Sequence, residues 1–195
     1  MKLPVLQYPD PRLGQKSEPI VEITDEIRDL AKNMLETMYE DEGIGLAAPQ
    51  VGELVRMIVV DVSWPERIQK EKSASQDEIS ELGMKPETEL GTELANDGMP
   101  LILINPKLEL AGKTIKSEEG CLSVPNDYRA NVPRKEIVYL KALDLDGNEV
   151  AFEADGILAI CLQHEVDHLD GKLFIDYISR LKLGLYKSSL KKNQK

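Results

Sequence analysis

Gln163-His164-Glu165-Val166-Asp167-His168 carries the most explicit chemistry in this sequence, because it contains the H-E-x-x-H pattern. An α-helix turns about 100° per residue, so histidines four positions apart stand on nearly the same face and can grip one ion between them. Glu165 is offset around the helix yet can reach a water on the free side of such an ion, which is where a general base sits in metal-dependent hydrolases. His164 and His168 are the only histidines in the chain, so the pattern does not come from a scatter of them.

Two imidazoles make a weak site, and a third protein ligand is expected. Asp170 and Asp176 stand downstream and remain open. The better candidate is Cys121, in Glu118-Glu119-Gly120-Cys121-Leu122-Ser123-Val124-Pro125, where Gly120 would let the backbone come close to an ion. Cys161 shares the helix face with His164, but it is about 10.5 Å along the axis from His168. One ion with bonds of about 2.0–2.3 Å cannot comfortably take both of them with His164, so Cys161 is expected to pack beneath the site and line a pocket. Three protein ligands leave a position for water, the mark of a catalytic ion. An endopeptidase and a non-catalytic protein clipped together by its ion share these residues as alternative readings.

Helical and extended segments must position this set. Thr24 with Asp25 and Glu26 reads as a helix start, and Ile27, Leu30, Ala31, Met34, Leu35 and Met38 then form one apolar face that stops before Gly43. Strands are expected at Val55–Val62, Leu101–Leu110 and Ile137–Leu145, and the Asp146-Gly147-Asn148 turn leads into another at Glu149–Glu153. Asp155 would cap the metal helix, Ile157–Leu169, which closes at Gly171. A last helix is expected from about Tyr177 to Leu190. The expected class is α+β: strands packed around a central helix that carries the H-E-x-x-H motif, with a C-terminal helix.

The 195 residues read as a single catalytic domain. Residues 65–98 are acidic and lack an apolar period, so they are expected to form a mobile insertion, with a short helix at 76–82. Two cysteines without a framework of spacings, no signal peptide and no apolar stretch able to span a bilayer point to the cytoplasm. A net charge of −11 argues against DNA and general nucleic-acid binding. The end of the chain breaks that balance: Arg180, Lys182, Lys187, Lys191, Lys192 and Lys195 occur with no acidic residue among them, either a solvated helix end or a contact for RNA or the ribosome.

Three segments together resemble one family: Gly43-Ile44-Gly45-Leu46-Ala47-Ala48-Pro49-Gln50, then Glu119-Gly120-Cys121-Leu122-Ser123, then Gln163 to His168. In this order they resemble the peptide deformylases, over a span from about Asp10-Pro11 to about residue 180. The first segment lacks the Lys-Ser/Thr of a phosphate-binding loop. The resemblance implies removal of the N-formyl group from the formylmethionine of nascent N-formylmethionyl polypeptides, with release of formate. It implies Cys121, His164 and His168 as ligands of one divalent ion, Glu165 as acid/base, and the Gln50 amide and Leu122 N–H as oxyanion donors. Fe(2+) is the expected ion, with Zn(2+) or Ni(2+) able to use the same ligands. Ile44 and Gly45 would bind the substrate backbone as an added strand, Ile157, Ile160 and Cys161 would help form the methionine pocket, and Arg129 would contact the peptide. The basic C-terminal helix would dock on the ribosome.

Overall fold

The structure is a computed structural model that describes residues 1–66 and 100–193. Apart from Pro65 and Glu66, the acidic insertion expected at 65–98, including the helix expected at 76–82, lies outside the described residues. Five strands, β1 (Gly45–Ala47), β2 (Met57–Val60), β3 (Leu101–Glu119), β4 (Ala130–Leu143) and β5 (Glu149–Ala154), form one antiparallel sheet in the order β1-β2-β3-β4-β5. Among the described residues, the long helices beside it are α1 (Asp25–Glu40), α2 (Gly156–Leu169) and α3 (Arg180–Asn193).

Strand alternation sorts the core into two clusters. Met57 and Val59 of β2 pack with Ala31, Met34 and Met38 of α1, whereas Ile58 and Val60 pack with Leu158, Ala159 and Leu162 of α2. All four β2 residues are buried, because a helix covers each face of the strand. That is why Met-Ile-Val-Val reads as a continuous apolar run. A third cluster joins Val124, Ala130, Val132 and Phe174 to Tyr186 of α3.

Thr24 and Asp155 occupy the N-cap positions expected of them, but neither side chain bonds the helix backbone. Gly171 takes the left-handed conformation at φ +69, and its N–H donates to the His168 carbonyl at 3.1 Å, ending α2 as expected. The C-terminal helix begins three residues later than the periodicity suggests, because Phe174–Tyr177 forms a 3-10 turn with Phe174 and Ile175 buried.

Strands β3 and β4 run well beyond the apolar segments that announced them. Their far halves pair through Glu119↔Ala130, with irregularities at Ile104/Lys107 and Ala111/Thr114 where Pro106 and Gly112 interrupt the ladder. β1 was not expected as a strand at all. Its three residues pair with β2 and place the first motif segment at the end of the sheet.

Candidate metal centre and active site

The metal-helix motif lies on α2, with Glu165 and His168 almost fully buried at 4% and 1% exposure. The Cys121 thiol, from the turn after β3, sits 3.3 Å from His168 Nε2. One ligand atom each from Cys121, His164 and His168 lies within 4.8 Å of the others. The two rings meet edge to face with centroids 5.0 Å apart. Asp170 and Asp176, the alternatives the sequence left open, are engaged elsewhere: Asp170 accepts from Arg56 at 2.8 Å and Asp176 from the Leu173 N–H at 2.9 Å.

Beside this trio opens a cavity of about 660 Å³. Its lining includes Ile44, Gly45, Gln50, Cys121, Leu122, Arg129, Ile157, Ile160, Cys161, His164 and Glu165, so every site residue expected from sequence is gathered there except His168, which lies buried behind. Gln50, 2% exposed, is fixed at both ends of its amide: Oε1 accepts from the Ala47 N–H at 2.8 Å, while Nε2 donates toward Cys121 Sγ at 3.4 Å and Ser123 Oγ at 3.3 Å. The Ser123 N–H also donates to the Cys121 sulfur, at 3.4 Å.

Gly45 presses directly on the buried carboxylate. A Cβ built there would stand 2.5 Å from Glu165 Oε1 and 2.7 Å from Cys161 Sγ, so no other residue fits without displacement. At Gly120, by contrast, an added Cβ would find only ordinary contacts, the nearest 3.5 Å away on Arg129, and the close approach expected there is not what requires the glycine.

The electrostatics follow from burial and from a chain of charged partners that sequence reasoning missed. His164 Nδ1 bonds Glu119 at 2.8 Å; Arg134 grips both Glu119 oxygens at 2.7 and 2.9 Å and reaches Asp167 at 2.6 Å; Tyr177 donates to Asp167 at 2.9 Å. A carboxylate on Nδ1 fixes the tautomer that leaves Nε2 free to bind a cation. Burial pushes Glu119 up, but its bonds from Arg134 and His164 outweigh this and hold it below its ordinary value. Burial keeps His168 well below the usual histidine range, hence neutral, and keeps the Cys161 thiol protonated. His164 is raised: burial opposes its charge, but Cys121 and Glu119 prevail. Burial pushes Glu165 up to about 7.

The N-terminal segment also contributes, with no signal in its sequence. Leu6 N–H donates to the Gln50 carbonyl at 2.7 Å, Gln7 Nε2 to the Leu122 carbonyl at 2.6 Å and Tyr8 N–H to the Ser123 carbonyl at 2.8 Å, tying two motif segments together.

Two nitrogens and a sulfur beside a buried carboxylate make a donor set suited to one divalent transition metal. Among the described residues, the buried Glu165 Oε2 has no hydrogen-bond partner, a cost at nearly full burial that fits a site made to be completed by a ligand. A mixed fold with a five-stranded antiparallel sheet and this candidate Cys-His-His centre define a metal-dependent hydrolase. Comparison with known proteins gives the family. The profile of the polypeptide deformylases matches residues 2–183. A peptide deformylase of Acinetobacter baumannii is 45% identical over 181 residues, covering 92% of this chain and 85% of the relative. That of Pseudoalteromonas translucida is 43% identical over 193 residues, covering 99% and 96%. The crystal structure of the Ehrlichia chaffeensis peptide deformylase in complex with actinonin superposes with a TM-score of 0.78 at 34% identity, over 100% of this chain and 98% of that one. The chain belongs to the peptide deformylase family: it is a hydrolase that removes the N-formyl group from newly synthesised polypeptides.

Proposed function

We propose that Cys121, His164 and His168 hold one divalent ion, Fe(2+) by preference and Zn(2+) or Ni(2+) on the same ligands, and that Glu165 handles the protons of deformylation. The observation that carries this reading is the buried Glu165 carboxylate, with one oxygen unpartnered, lining the cavity beside the three clustered ligand atoms. Bound there, the ion supplies a Lewis acid and a water of lowered pKa. An anionic thiolate offsets more of the cation's charge than a third imidazole would, which suits softer, ferrous chemistry.

The protein's own groups carry the remaining work. Glu165 takes a proton from the attacking water as its oxygen bonds the formyl carbon. The Gln50 amide, pinned through Oε1 by Ala47, and the Leu122 N–H stabilise the oxyanion that results. Glu165 then passes its proton to the nitrogen, the C–N bond breaks, and formate and a free methionyl amine leave. A carboxyl group near 7 before the ion binds is lowered by a nearby cation, so Glu165 enters the cycle as a base.

Ile44 and Gly45 would take the substrate backbone along the sheet edge, Ile157, Ile160 and Cys161 would enclose the methionine side chain, and Arg129 would meet the following residues. In this reading α2 is the central element of a single catalytic domain, the insertion at 65–98 stands outside its chemistry, and the protein works in the cytoplasm. No helix among the described residues is long and apolar enough to cross a membrane.

Replacing Glu165 with Gln tests the assignment. Metal content should be kept while formate release from formyl-Met-Ala-Ser falls by about 10²–10⁴. Full turnover in E165Q, or cleavage of unformylated peptides by the native protein, refutes it. The basic end of α3 is the proposed ribosome contact, and Lys187, Lys191 and Lys192 changed together to Gln should weaken co-sedimentation with ribosomes. Truncation is the poorer test, since Tyr186 is buried in the third core cluster.

A further inference from the structure

Gly43 and Ile44 lead into β1, the terminal strand of the sheet, whose first residue, Gly45, lies against Glu165. The stretch leaves α1 through a tight turn in which Glu42 has φ +55, and the Gly43 N–H donates back to the Met38 carbonyl at 2.8 Å. Its two successive carbonyls are then held from the β2 side. The Ile44 carbonyl accepts from the Asp61 N–H at 2.9 Å, an ordinary extension of the sheet. The Gly43 carbonyl accepts from the indole Nε1 of Trp64, a side-chain donor that no sheet supplies.

Trp64 is itself well anchored. Its N–H and that of Ser63 donate to Asp61 Oδ1 at 3.1 and 3.2 Å, and Tyr39 of α1 donates to Asp61 Oδ2 at 2.8 Å. The Trp64 ring meets Tyr39 edge-on, with centroids 5.5 Å apart. The indole thus links the last turn of α1 and the end of β2 to the segment that lies against Glu165 and Cys161.

We infer that Trp64 is a positioning residue for substrate: by bonding the Gly43 carbonyl it fixes the sheet edge along which the formylated peptide lies. The inference rests on the deformylase reading, and its effect belongs to binding and not to the chemical step, since the indole bonds the Gly43 carbonyl whereas the contact with Glu165 is made at Gly45, which β2 pairs independently. Removing its donor while keeping a ring, in Trp64→Phe, should raise KM for formyl-Met-Ala-Ser roughly fivefold and leave kcat within twofold.

A second readout needs no variant. Trp64 is the only tryptophan in the chain, so tryptophan emission reports the surroundings of this one indole, the Gly43 contact among them. Titrating the metal-loaded protein with Met-Ala-Ser, the product of deformylating that substrate, should change the emission along a saturable curve whose midpoint matches the peptide's inhibition constant. Emission unmoved at peptide concentrations that inhibit turnover overturns the inference. So does W64F with kcat reduced and KM kept, or with both at native values. Formate release by the native chain tests the deformylase reading separately, so the two failures are distinguishable.

Discussion

A glycine and two carboxylates decide whether this site can work. Any side chain at Gly45 intrudes on Glu165 Oε1, and either the carboxylate or β1 must move. Displacing a reacting group by about 1 Å costs on the order of 10²-fold in rate, so Gly45→Ala should lower kcat by about that factor with metal content unchanged. Formate release within twofold of native would show that the contact is not needed. Glu119 acts one bond further out, through His164. Glu119→Gln removes the charge shared by Arg134 and His164 and should weaken Zn(2+) affinity by about 10–100-fold, read by competition with a chelator; unchanged affinity would leave Glu119 a structural role only. That His164 and His168 would stand together was legible because a four-residue spacing on a helix is a geometric statement, and that Cys121 would join them because its motif accompanied the others. Glu119, Arg134, Asp167 and Tyr177 were not legible. They come from β3, β4, α2 and the turn beyond it, and only folding brings their charges together. Arg134 is buried, at a position that apolar patterning marks as unsuitable for a cation, because two carboxylates compensate it.

Turns and strand lengths are governed by different physics from side-chain clusters. In the hairpin between β4 and β5, Asp144 Oδ1 accepts from the Asp146 and Asn148 N–H groups, both at 2.8 Å, and Oδ2 from Asn148 Nδ2 at 3.0 Å. Partial burial would raise the Asp144 pKa, but the bonds from Asn148 and from the turn backbone hold it below 3.8. A carboxylate lowered in the folded state contributes stability that is complete above its unfolded value and is lost as pH falls through its folded one. Asp144→Ala should therefore destabilise the protein by about 1 kcal/mol or less at pH 7, and the difference from native should close in acid, below the ordinary carboxylate range. Urea midpoints measured at the two pH values check this, and a difference that persists in acid would contradict it. The turn was readable from Asp-Gly-Asn, as were α1 and α2 from their apolar stripes. The far halves of β3 and β4 were not: Lys113, Lys116 and Glu118 are exposed there, and Pro133 and Arg134 break the alternation, so backbone pairing extends the ribbon with only Ala130 and Val132 adding apolar burial from β4. β1 was hidden by its brevity, since three residues are too few to show a period.

At the scale of the whole molecule, the site is where independently packed parts meet. α2 belongs to one core cluster and the turn carrying Cys121 to another, and the N-terminal segment bonds the Gln50 and Leu122–Ser123 carbonyls from a third direction. An ion bound by Cys121, His164 and His168 would therefore join segments more than forty residues apart in sequence. Because the unfolded chain does not hold these three groups together, binding free energy becomes folding free energy. Free ion at about 100 times its dissociation constant adds roughly 2.7 kcal/mol, and for a chain of this size that is about 5–10 °C in Tm. Stripping the ion with a chelator should lower Tm by about that much, and Zn(2+) or Ni(2+) should restore it. Cys121→Ser should shrink the shift, because a hydroxyl is a far poorer ligand than a thiolate. A scan in which chelator leaves Tm unmoved, on protein shown by metal analysis to have been loaded, would mean that the three ligand atoms are held in place by packing alone and that the ion contributes chemistry without contributing to the fold.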